Sequence, residues 1–134
     1  MATTGGPSTT PTRRVHPAWS ALVGLTSLGV LLQGLWAGLF LRRGGDNGTW
    51  VSVHQHGAEV TVLLGVLAAV AAAVWLRSRR DLLMGTVVFA VLLVVELVLG
   101  MAIDDASGNV VVHVPLALVL LGLAVWLPMA ARRR

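Results

Sequence analysis

The sequence contains no cysteine and no lysine, and charged residues make up only 12% of it. Without cysteine there can be no disulfide, iron–sulfur cluster, thiolate zinc site or covalent c-type haem attachment. The missing lysine looks like a GC-rich coding bias and carries no mechanism. The shortage of charge says more. A soluble domain carries about 25% charged residues, so half the charge needed to coat a water-facing surface is absent. What is there instead is apolar: 56% of the 134 residues are hydrophobic, and the mean hydropathy is +0.82. Ten arginines against six acids give a net charge of +4, which on a soluble fold would suggest a nucleic-acid face. No soluble fold is available to hold such a face, so nucleic acid is excluded as a partner. The chain reads as a small polytopic membrane protein whose principal partner is the lipid bilayer.

Crossing ~30 Å of hydrocarbon takes about 20 helical residues. Four runs reach that length: 18–41, 53–76, 82–103 and 110–130. Barrel strands would give alternating segments of about ten residues, and the sequence has none. Open backbone cannot face lipid, so each run is predicted to be a helix. The predicted fold is all-α, a four-helix transmembrane bundle over 16–134. The first run is too long for a signal-peptide core of about 7–15 residues and is expected to act as an uncleaved anchor. Residues 1–15 lack periodicity and are expected to be disordered.

Orientation follows from the arginines. Arg13, Arg14, Arg77, Arg79, Arg80 and Arg132 to Arg134 fall on one side of the predicted spans. Only Arg42 and Arg43 fall on the other, with Asp46, Asp104 and Asp105. Positive-inside bias puts both termini and the 77–81 turn in the cytoplasm of a multi-pass plasma (inner) membrane protein. Segments 42–52 and 104–109 are then outer loops. Trp19, Trp75 and Trp126 near the inner ends and Trp50 near the outer end are expected to be interfacial indoles. Gly24, Gly29, Gly34, Gly38, Gly65, Gly85, Gly100 and Gly122 are expected to supply small faces for close helix contact. Pro115 suits a first turn if the fourth helix begins near His113, and otherwise kinks that helix.

The two halves of the chain show one organisation at a displacement of 63 residues, counting from Gln33 to Glu96. Leu32-Gln33-Gly34 in the first span corresponds to Val95-Glu96-Leu97 in the third. A small residue follows each polar one four positions later, Ala37 and Gly100. After an outer loop, Val51-Ser52-Val53-His54 corresponds to Val110-Val111-Val112-His113. The pattern predicts duplication of a helix pair, each pair starting and returning inside.

Polar groups within the spans need a partner or a cavity, because a charge at a helix centre costs about 2.5–3.5 kcal/mol or more. The candidates are Gln33, Glu59 and Glu96, with His54, His56 and His113 near the outer helix ends. All six are expected in the outer half of the bundle. Two histidines on different helices, entering from one face, suit axial ligation of a haem iron. Arg42 and Arg43 stand at the rim, where porphyrin propionates need cations. The repeat selects His54 as partner of His113. The charge argument selects His56, because Glu59 should face the interior and His56 is only ~60° from it around the helix. Glu59 could then orient the imidazole. Both histidines stay candidates. Glu96 has two readings, a proton-carrying carboxylate or a structural group bonded to Gln33.

With those residues in place the chain resembles the haem A synthases and related cytochrome-oxidase assembly proteins. The resemblance rests on Leu32-Gln33-x-Leu35-x-Ala37-Gly38, then Trp50-x-x-x-His54-x-x-x-Ala58, and on Val95-Glu96-x-Val98-Leu99-Gly100 with His113-x-x-x-Ala117. It covers one four-helix half of such an enzyme, over nearly all of 18–130. Small four-span bacterial membrane proteins show a similar Gln and His placement. The resemblance implies b-type haem held by His54 (or His56) and His113, for electron transfer or haem handling. It also implies contact with a respiratory or haem-assembly complex, or a homodimer that restores a two-bundle arrangement. The Glu-x-x-His-Arg signature of the synthases is absent, since Val53-His54-Gln55-His56-Gly57 stands there, so no catalytic residue is assigned. Two other readings compete with haem binding: a small proton-coupled transporter using Glu59 or Glu96, and a non-catalytic accessory or assembly subunit.

Overall fold

Each hydrophobic run forms one long helix: α1 (Pro17–Leu41), α2 (Asn47–Trp75), α3 (Arg80–Met101) and α4 (Val110–Arg132). The structure is a computed structural model and describes residues 15–42, 47–103 and 108–133. All four helices are long and apolar enough to cross a membrane, which makes this a multi-pass membrane protein. Helix α1 packs on α2, α2 on α3 and α3 on α4, and α1 closes the ring against α4. The fold is a four-helix bundle. The Arg77–Arg80 turn lies at one end, here the arginine end. The ends of α1 and α3 and the starts of α2 and α4 lie at the other, the histidine end.

The helix limits differ from expectation mainly at α2, which starts at Asn47 rather than at 53. Backbone approaching an apolar phase must already be hydrogen-bonded, so the helix forms before the hydrocarbon begins. The predicted tail lies outside the described residues over 1–14, and its last member, Val15, packs against the core. His16 starts α1: its ring Nδ1 accepts the Ala18 N–H at 3.3 Å, Pro17 supplies the first turn, and the ring stacks on Trp75 with centroids 3.8 Å apart.

The best-packed part of the core is the arginine half, built from Trp19, Val23, Ala68, Ala72, Leu82, Phe89, Leu120 and Leu127. Trp19 corrects the sequence reading. It is 1% exposed rather than interfacial, and its indole Nε1 donates to Thr86 Oγ1 across the bundle at 3.2 Å. Thr86 passes the bond on to Leu82 O at 2.7 Å. An indole so satisfied can leave the interface, because its one donor no longer needs water. Trp75 and Trp126 do stand at the surface.

Half of the expected glycine contacts form. A Cβ at Gly29 would collide with Thr61, at Gly65 with Leu93 and at Gly85 with Trp126, and one at Gly100 would crowd His113, while Gly24, Gly34, Gly38 and Gly122 face open space.

Both prolines of α4 lie inside the helix, so Pro115 is not confined to a first turn. Pro128 has no N–H to give to Ala124 O. Ser27 Oγ on α1 donates to that carbonyl instead, at 2.8 Å. Helix α1 thus repairs the defect that proline leaves in α4. Ser27→Ala is expected to cost about 1 kcal/mol, within the range for hydrogen bonds between membrane helices. In a Pro128→Ala background, where Ala124 O regains its own donor, the loss should nearly vanish. Unfolding of the four combinations in detergent measures the coupling, and additive losses would contradict it.

Candidate functional site

The polar span residues meet at the histidine end. Gln33 lies eight residues before the end of α1, ~12 Å along the axis. Its backbone carbonyl is 3.2 Å from His54 Nδ1 on α2. A carbonyl can only accept, so Nδ1 carries the proton of a neutral His54 and Nε2 keeps its lone pair. The Phe40 ring meets the His54 ring edge-on at a centroid distance of 5.3 Å, which fixes the imidazole from the side.

On the opposite pair of helices, His113 Nδ1 lies 3.2 Å from Glu96 Oε1, with both side chains largely covered. The approach is off the hydrogen-bond axis, so the contact is electrostatic rather than a formed bond. The position of His113 is set by the end of α3. A Cβ at Gly100 would stand 3.1 Å from His113 Cε1, so glycine there gives the ring its space. Asn109 completes the support: its side-chain amide donates to Ala102 O at 2.7 Å, and its carbonyl accepts the His113 N–H at 2.9 Å.

Four buried polar atoms in this layer have no hydrogen-bond partner: Gln33 Oε1 and Nε2, Glu96 Oε2 and His113 Nδ1. Unpaired polar groups in an apolar surround cost roughly 1–3 kcal/mol each. Of the two readings of Glu96, the one that bonds it to Gln33 is not formed, since both side-chain polar atoms of Gln33 lack a partner. The layer is the least satisfied part of a bundle whose buried threonines all bond a carbonyl one turn back.

His56 and Glu59 go elsewhere. They pair with each other at 3.2 Å on the exposed face of α2, with side chains 70% and 47% accessible. Glu59 was expected to face the interior. It reaches a partner one turn away on its own helix without crossing the bundle, which removes the reason for burial. His54, half-buried against α1, is the α2 histidine that meets another helix. Arg42 is exposed just past α1, and Arg43 lies outside the described residues.

Trp36 and Gly57 belong to the site and were not among the sequence candidates. They lie one turn beyond Gln33 and His54, and the Trp36 ring occupies the space a Cβ at Gly57 would need. That contact holds α1 against α2 where the Gln33 carbonyl meets His54. A glycine one turn after a span histidine was the available signal.

At the opposite end Arg79 forms a two-point bond with Asp81, at 3.1 and 2.9 Å. That hydrogen bond holds the guanidinium pKa above its ordinary value.

Fold and polar layer define a class: a multi-pass helical membrane protein with two imidazoles, one carboxylate and one amide gathered at one end of a four-helix bundle. The chain matches no protein-family model, no curated protein and no solved structure.

Proposed function

We propose that the chain is a b-type haem-binding membrane protein, with His54 and His113 as the residues that would hold the iron. The observation that carries this reading is the matching placement of the two imidazoles. Each has Nδ1 beside an oxygen of the preceding helix, the Gln33 carbonyl or the Glu96 carboxylate. A metal-ligating histidine is commonly oriented in this way, with the second nitrogen left for the metal. No described residue is hydrogen-bonded to Nε2 of either ring. Among the described residues no three His, Asp or Glu side chains gather as a protein-only metal site. Two imidazoles on separate helices suffice for a metal that brings its other ligands, as haem iron does.

The residues present fit that group at the level of their donors. His54 and His113 would hold the iron, and haem would supply one-electron exchange at a potential set by its axial ligands and surroundings. Gln33 and Glu96 act as positioning residues through the imidazoles. Arg42 and Arg43 are the cations available to propionates at that end. His56 and Glu59 lie on the other face of α2 and take no part in ligation. The matching of Gln33 with His54 and of Glu96 with His113 supports the duplicated helix pair, and the arginine distribution supports a plasma-membrane protein with both termini inside.

The test is a reduced-minus-oxidised spectrum of the protein purified in mild detergent after expression with haem supply. Soret and α bands are expected, with one haem per chain, and they are expected to persist in His56→Ala. Protein without bands overturns the reading. The unpartnered Glu96 Oε2 favours proton-coupled transport as the second reading. Colourless protein that releases protons on adding substrate, and ceases to do so in Glu96→Gln, would establish it.

A further inference from the structure

On the membrane-facing side of α2 and α3 lies an open groove of about 290 Å³. Its walls are Val66, Val70, Val91 and Val94, with Ala90 buried at its floor, and every lining side chain is valine or alanine. The groove begins at Ala73, two residues from the end of α2, and reaches Val66, a length of ~10 Å along the helix. One leaflet offers about 15 Å of hydrocarbon, half of the ~30 Å core. The groove therefore runs from the arginine end toward the bilayer middle within a single leaflet.

Two arginines stand in register with it. Arg77 is seven residues after Val70 and four after Ala73, and its Nε donates to Ala73 O at 2.9 Å. Arg80 is seven residues before Val87 and eleven before Val91. Arg77 lies in the turn just beyond α2 and is tied to the lining residue Ala73 by that bond, while Arg80 opens α3 at spacings that return to nearly the same helix face, so both cations stand at the arginine end of the groove. Neither has a carboxylate partner among the described residues. Asp81, the acid of this turn, is already held at two points by Arg79.

We propose that this groove and its two arginines bind one anionic phospholipid, its phosphate on Arg77 and Arg80 and an acyl chain along the α2–α3 valines. Charge complementarity selects the headgroup, because two unbalanced guanidiniums at one mouth favour a lipid with net negative charge. Guanidinium groups pair readily with phosphate oxygens. The absence of any polar side chain in the lining selects a hydrocarbon chain as the occupant above them. Nothing in the argument depends on haem.

The test is native mass spectrometry of the detergent-purified full chain with phosphatidylglycerol or phosphatidylcholine added at equal concentration. One phosphatidylglycerol is expected to be retained in preference. An attraction of about 1 kcal/mol for each arginine corresponds to roughly fivefold in affinity. Arg77→Gln/Arg80→Gln should therefore cut the preference roughly 25-fold while leaving helicity by circular dichroism unchanged. Val70→Trp, which fills the groove, should lower retention of both lipids. Equal retention of the two lipids by the unaltered chain, or a preference that survives the double arginine change, overturns the proposal. So does equal displacement by soluble glycerol 3-phosphate, which would remove the acyl chain from the site. Loss of a protein dimer in Val70→Trp, with lipid retention unchanged, would assign the groove to a second copy of the chain instead.

Discussion

Replacing His113 by alanine is expected to abolish the low-spin Soret and α bands of the purified protein. In the proposed assignment the ring is one of two ligands, and its place is prepared on three sides: by Glu96 Oε1 at 3.2 Å, by the bare backbone of Gly100 and by the turn that Asn109 begins. The substitution removes the imidazole and its contact with Gly100 on α3 but leaves the apolar core untouched. Added imidazole, which supplies the same nitrogen, is expected to restore part of the spectrum. His54→Ala should act alike, and His56→Ala, with its ring 70% accessible and turned to Glu59, should not. An unchanged spectrum in His113→Ala would sink the assignment of ligands. Melting of the apoprotein separates a lost ligand from a lost fold.

Trp19→Ala is expected to be the most damaging single change to stability. The side chain is the largest of those fully buried, and truncations of this kind cost about 3–5 kcal/mol in soluble cores. In a bilayer the part due to water is missing, since lipid is as apolar as the core. The cavity and the lost dispersion contacts remain, so the loss is expected near ~3 kcal/mol. Trp19→Phe keeps most of the volume and removes the 3.2 Å bond to Thr86, and should cost about 1 kcal/mol. Thermal or denaturant unfolding in detergent orders the two variants. Equal stability of Trp19→Ala and the parent would show that the buried indole does not hold α1 to α3.

The parts of the fold that depend on length and polarity were legible in the sequence. Four apolar runs became four helices, and α4 begins at residue 110 as the pattern predicts. The grouping of Gln33, Glu96 and two histidines at one end follows from their positions along the runs. Whatever depends on rotation about a helix axis was not legible. Trp19 was expected at the interface and lies in the core, while Gly34 and Gly38 were expected in contacts and face open space. Glu59 was expected inward and pairs outward with His56. The substitution of Ser27 for the donor missing at Pro128 joins residues on different helices, and no local pattern announces it.

One physical cause runs through these differences. A helix in water shows its buried face by the polarity of the other, whereas a helix in lipid is apolar on both. The low charge and high apolar content determined by themselves that the chain crosses the membrane, where it crosses and at which end its polar groups collect. Only the tertiary structure decided which faces meet: His54 rather than His56 beside α1, Gly100 beneath His113, and Trp19 inside. Those choices are made by side-chain volume and by hydrogen bonds between helices, which a sequence of nearly uniform hydropathy does not record.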